Sequence, residues 1–266
     1  MTKLAQVIAL LFVSSSAFAA AGDDNNSDVK ILQNSNANQV TVSQVSPTAA
    51  DNNQVDVKIE DNAHDNILTI YQEGAENKAT SWVSIESSEN QAVSTQIGNG
   101  NTVSTNVNTF SNETHLSTYQ NGALNQASIM VTTFADDNQV NVSQVGDSNQ
   151  NSSTMLVGAS ENILTLAQQG TGNISDTYIF SGSNNTVHSW SGGNYNEIDI
   201  DIHDENSDGN TIITSQLSNN SKSVVYISSL TGESLSNTLT LGQTAHDLST
   251  VNLKNASYNN IHVWQD

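Results

Sequence analysis

Residues 138–149 read NQVNVSQVGDSN. Val140 and Val142 alternate with Asn141 and Ser143, and a period of two marks a strand with one buried face. Gln144 is in phase with the two valines, so the stretch predicts a side-chain amide pointing into the core. Gly146 and Asn149 follow where a tight turn needs residues that tolerate positive φ.

The same stretch returns along most of the chain. Its glutamine recurs at Gln44, Gln72, Gln96, Gln120, Gln168, Gln216, Gln243 and Gln265, and the reading puts Trp190 in the same slot once. Nine of the 18 glutamines fall in this one column, which composition alone does not produce. Six residues earlier stand Asn38, Asn66, Asn90, Asn138, Asn162, Asn184, Asn210, Asn237 and Asn259, with Thr114 the exception. Two residues after the glutamine stand Gly74, Gly98, Gly122, Gly146, Gly170 and Gly192; five after stand Asn77, Asn101, Asn125, Asn149 and Asn173. A second alternating run follows, as in Val55, Val57, Ile59 or Ile198, Ile200, Ile202.

Each unit therefore reads strand, turn, strand, turn, at a period of 22 to 28 residues. Such a unit cannot bury its apolar face alone, whereas stacked units bury a continuous core. The expectation is an all-β fold: a β-solenoid of about nine to ten strand-turn-strand repeats with two facing parallel sheets. Identical positions would form ladders, and the inward glutamines would bond rung to rung. That pairing removes the penalty of about 1–3 kcal/mol for a buried unpaired amide.

Outward from the repeat, residues 1–19 have the form of a secretory signal: Lys3, an apolar run over 4–13, and the small-x-small site Ala17-Phe18-Ala19. The run is too short to span a bilayer. Residues 20–37 alternate little and read as a flexible leader, leaving 38–266 as one repeat body. The single proline, Pro47, falls in the first turn, where it removes no ladder bond.

Composition narrows the function. Six cationic residues, none of them arginine, stand against 27 acids, for a formal charge of −21. Nucleic-acid binding, which needs basic groups against phosphate, is excluded as an expectation. No cysteine is present, so no disulfide staples the stack.

The unit Asn66 to Ala79, NILTIYQEGAENKA, has the pattern polar-x5-Gln-x-Gly-x2-Asn-x-Ala and resembles the curlin repeat. Curlins are the secreted subunits of curli, bacterial functional amyloid fibres. The resemblance covers about residues 38–266. It implies self-assembly into an extracellular, cell-surface fibre that supports biofilm matrix, cell adhesion and aggregation. It also implies export through a dedicated outer-membrane pore and growth from a nucleator subunit. One departure stands out: where the family carries a second glutamine, this chain has Val83, Val107, Val131, Met155 and Ile179, so that internal ladder is apolar.

No catalytic set is expected, nor a cofactor, a metal site or a membrane span. The six histidines have no metal-ligand spacing; His188 is read as packed inward beside Trp190. The acidic turns at Asp136-Asp137 and 204–208 would bind calcium weakly at most. Trp82, Trp190 and Trp264 suggest carbohydrate stacking but do not share a column in this reading, and Trp190 is assigned as a plug in the stack. The residues expected to carry assembly are Gln44, Gln72, Gln96, Gln120, Gln144, Gln168, Gln216 and Gln243, with Gly74, Gly98, Gly122, Gly146 and Gly170. Alternatives to the fibre subunit are a minor nucleator of the same fibre and a monomeric β-solenoid adhesin.

Overall fold

The computed structural model describes residues 13–15, 25–32, 34–47, 52–203, 207–229 and 234–266. Their regular elements are all strands, and every pairing between them is parallel. The first strand of each unit joins one sheet, called here the glutamine sheet. It runs through Val13–Ser15, Gln39–Val45, Ile67–Ala75, Gln91–Asn99, His115–Ala123, Gln139–Asp147, Ile163–Thr171, Thr186–Gly192, Thr211–Gln216, Thr238–Gln243 and Asn260–Gln265. The second strands form the return sheet: Asn26–Ile31, Gln54–Ile59, Lys78–Ser84, Thr102–Asn108, Gln126–Thr132, Gln150–Leu156, Ile174–Phe180, Glu197–His203, Lys222–Ser228 and Leu248–Lys254. Consecutive strands alternate between the sheets, so the chain winds into a β-solenoid of about ten coils, as the repeat predicts.

Alternation places one face of each sheet inside. Val40, Leu68, Leu116, Val140, Leu164, Val187, Ile212 and Leu239 form one buried column. On the return sheet, Ile59, Val83, Val107, Val131, Met155, Ile179, Ile202 and Ile227 form another, the apolar ladder expected from the sequence. Between these columns the core is polar to an unusual degree, with Ser94, Thr105, Thr118, Ser153 and Thr177 all buried.

The arches are built from left-handed residues that are mostly not glycine. The residue before most inward ladder residues has positive φ: Asp65, Glu89, Glu113 (before Thr114), Asp137 and Glu161 on one side, Glu76, Leu124 and Ser148 on the other. A pair such as Thr109-Phe110 or Thr133-Phe134 turns the second arch at φ 58–66. Each such residue costs about 1–2 kcal/mol, so the ladders must hold the arches in place. The Phe110 and Phe134 rings stack at 5.2 Å on successive coils.

Two expectations change. Part of the flexible leader is a strand: Asn26–Ile31 pairs in register with Gln54–Ile59, aligning Ser27, Val29 and Ile31 with Val55, Val57 and Ile59. Its six residues are too few for periodicity to declare, and the neighbouring coil supplies the template. The signal stretch lies outside the described residues apart from Val13–Ser15, which pairs with Val40, Thr41 and Val42.

The second change is a register slip of one residue. Ser191, not Trp190, aligns with Gln168 and Gln216, and Asn185 rather than Asn184 begins that coil. The buried residues there are Val187, Ser189 and Ser191. A slip of one residue exchanges the two faces of a strand, so Trp190 and His188 point outward. Trp190 does not plug the stack.

Candidate functional site: the amide ladders

The glutamines stand where the pattern puts them, inside and one above another. Nε2 of Gln44 donates to Oε1 of Gln72 at 2.9 Å, and Gln72, Gln96, Gln120 and Gln144 each pass the same bond to the next coil at 2.8–3.0 Å. The second Nε2 hydrogen goes to a main-chain carbonyl of the return sheet: Gln54 for Gln72, Lys78 for Gln96, Thr102 for Gln120, Gln126 for Gln144 and Gln150 for Gln168. These carbonyls fix which end of each amide is nitrogen. The ladder therefore has one polarity, with donors directed toward the C-terminal coil. Gln216, Gln243 and Gln265 resume it at 3.0 and 3.1 Å. Between Gln168 and Gln216 it passes Ser191, whose hydroxyl donates to Oε1 of Gln216 at 3.3 Å.

Two asparagine ladders flank the glutamines, one at each arch. In the first, Asn66 Nδ2 donates to Oδ1 of Asn38 at 3.0 Å, and the same Oδ1 accepts the Asn66 main-chain N–H at 3.0 Å. Asn90, Asn162, Asn185, Asn210, Asn237 and Asn259 repeat this double contact. Thr114 keeps only the main-chain half of this contact, its N–H donating to Oδ1 of Asn90. The second ladder runs Asn53, Asn77, Asn101, Asn125, Asn149 and Asn173. Each Oδ1 receives an N–H from the following coil, so the amide-to-amide bonds of the asparagines run toward the N-terminal coil, opposite to those of the glutamines.

The turn glycines serve the second ladder. Nδ2 of Asn77 donates to the carbonyl of Gly98 at 2.8 Å, Asn101 to Gly122 at 2.9 Å and Asn125 to Gly146 at 2.6 Å. That carbonyl lies over the Cα of the glycine one coil earlier: a Cβ on Gly74 would sit 2.1 Å from the Gly98 oxygen. Gly74, Gly98, Gly122, Gly146 and Gly170 have φ between 108° and 128°, which also favours glycine. In the slipped coil the column passes through Gly193, whose carbonyl accepts from Asn173 at 2.9 Å, rather than through Gly192.

The sequence reading therefore found the glutamines and glycines and undervalued the asparagines. The side chain of Asn101 takes part in five hydrogen bonds, against three for Gln96. Their constant offset from the glutamine was the available signal. Asn53 and Asn196 escaped because one turn is longer and one coil is shifted.

Titratable groups lie outside this core. Among the described residues, no three His, Asp or Glu side chains gather as a metal site. Asp136 caps an arch, its Oδ1 accepting the Asn112 N–H at 2.7 Å, and Asp208 likewise accepts from Ser183 at 2.7 Å; residues 204–206 lie outside the description. On the outer face of the return sheet, burial and then Asp176 raise the Asp199 carboxyl above the usual range. Burial raises Asp201, partly opposed by His203. Among the described residues, no helix is long and apolar enough to cross a membrane. No protein-family model and no curated protein matches the chain.

Substitutions in the ladders should separate these roles. Gly98→Ala combines a clash with main chain and a disfavoured φ, and should cost about 3 kcal/mol in urea unfolding. Asn101→Ala should destabilise more than Gln96→Ala, each by roughly 2–4 kcal/mol. Ser191→Gln should complete the ladder and raise stability by about 1 kcal/mol; a loss would show that the slot has no room for the amide.

Acidification provides an independent check. A carboxyl raised on folding binds its proton more tightly in the folded state, so stability rises as pH falls through the window just above the ordinary carboxylate range. Asp199→Asn with Asp201→Asn should stabilise the chain at neutral pH and flatten that rise in a series of melts.

Proposed function

We propose that the chain is a structural subunit of an extracellular, curli-like functional amyloid fibre, exported to the cell surface, where it supports biofilm matrix, adhesion and aggregation. The observation that carries this reading is the polarity of the ladders. A second copy stacked in the same orientation meets glutamine donors with acceptors and asparagine acceptors with donors. An inverted copy opposes like with like, which leaves buried amides unpaired at about 1–3 kcal/mol each. Growth by this geometry is head to tail, a heterologous contact that does not close.

The curlin resemblance adds the expected partners, a nucleator subunit and an outer-membrane secretion pore. The charge of −21 opposes association of free chains, so salt should shorten the assembly lag.

The deciding experiment is assembly of the purified chain. It should form thioflavin-binding fibrils with a meridional reflection near 4.8 Å. A protein that stays monomeric at high concentration, with or without salt, rejects the reading.

A further inference from the structure

The corrected register brings together residues that the sequence keeps apart. On the outer face of the glutamine sheet, the position before each ladder residue reads Ser43, Tyr71, Thr95, Tyr119, Ser143, Ala167, Trp190, Ser215, Gly242 and Trp264, one directly above another. The chain has three tryptophans and six tyrosines, and four of these share this column. They stand two, three and three coils apart, about 10, 14 and 14 Å at the spacing of parallel strands. Small residues fill every gap. Trp264 lies flat: a Cβ on Gly242 would sit 2.0 Å from its ring, so that glycine clears the bed on which the indole rests.

The face around the column carries little charge, although Glu73 lies outward beside Tyr71 and its Oε2 accepts the Tyr71 hydroxyl at 2.7 Å. Two further outward positions hold Gln39, Ile67, Gln91, His115, Gln139, Ile163, Thr186, Thr211, Thr238 and Asn260, and Thr41, Thr69, Val93, Ser117, Asn141, Thr165, His188, Ile213, Thr240 and His262. Across ten coils none of the three outward columns contains Asp, Glu or Lys, in a chain with 27 acids. The return sheet differs. Its outer face carries Asp176, Asp199, Asp201 and the Lys222–Glu197 ion pair, and Lys58 lies 5.4 Å from the centre of the Trp82 ring.

We propose that this face binds a neutral, extended β-linked polysaccharide lying along the solenoid axis. A flat pyranose presents C–H bonds on its faces and hydroxyls around its edge. Aromatic rings accept the faces, and Ser117, Asn141, Thr165 and His188, one column away, meet the edges. A sugar in such an extended chain advances by about one coil, so rings placed at whole-coil intervals meet sugars in phase. Beside Trp190 a shallow depression bounded by Thr165, Ala167, His188, Ile213 and Ser215 accepts one such unit. The low charge of the face, with the Glu73 carboxylate beside Tyr71, selects a neutral polymer over an acidic one. This inference does not need the fibre: one copy presents the whole strip.

The test is depletion of freshly prepared monomer by microcrystalline cellulose and by chitin, with alginate as the anionic control. The chain should bind at least one of the neutral polymers, insensitively to salt, and leave alginate unbound. Trp190→Ala should weaken binding about tenfold, the loss of one stacking contact. Trp190→Phe should retain most of it, and Trp82→Ala, on the opposite sheet, should leave it unchanged. Equal loss in Trp82→Ala and Trp190→Ala, or no retention on either neutral polymer, overturns the proposal. So does a Trp190→Ala variant that binds normally but changes its sedimentation, because the strip would then be a contact between copies of the chain.

Discussion

The structure depends on side-chain amides whose two ends are both committed. Each glutamine nitrogen is tied to a main-chain carbonyl, and each asparagine oxygen to a main-chain N–H, before either bonds its counterpart on the next coil. In a water-poor interior such bonds strengthen one another, and an unpaired member is costly. The chain has few of the large apolar side chains that usually dominate a core, with 35% hydrophobic residues. The amide ladders are stable because they repeat: what one coil's amides leave unsatisfied the next coil satisfies, whereas the Thr118 and Thr177 hydroxyls between the ladders have no partner among the described residues.

The arches follow from the same constraint. Left-handed residues such as Glu76 and Glu89 are unfavourable taken singly. They persist because the neighbouring asparagine must enter the stack at a set angle to reach both the amide below and the carbonyl above. The glycine column is the most demanding case, since one carbonyl serves the asparagine of the previous coil and lies where a Cβ would be. Most charge is pushed elsewhere, to the arches and the return sheet, which leaves one broad face with little charge beyond Glu73. Opposite polarities in neighbouring ladders give the stack a direction, and from that direction comes a distinction between stacking upright and stacking inverted.

Legibility in the sequence tracked the strength of the period. Coils spaced at 24 residues, from Gln72 to Gln168, could be read with their strands, inward faces and turn glycines. Where the spacing varied, the offsets misled. Trp190 fell in the glutamine slot because Asn184 and Gly192 stand at the expected distances from it, but the burial of Val187, Ser189 and Ser191 sets the phase. Asn26–Ile31 was missed because its partner, Gln54–Ile59, lies a turn away and nothing local announces it. The asparagines were visible as a column, yet their larger share of the bonding depends on distances between coils.

The amino-acid sequence by itself determined that the chain repeats, that its strands alternate, and that amides recur in phase with apolar residues. Those are properties of order along the chain, and a period of two with a regular return is enough to express them. Only the tertiary structure decided the register of the irregular coil, the opposed directions of the amide ladders, and the alignment of Tyr71, Tyr119, Trp190 and Trp264 on one face. Each depends on which residues lie one coil apart, and that spacing changes with every turn length.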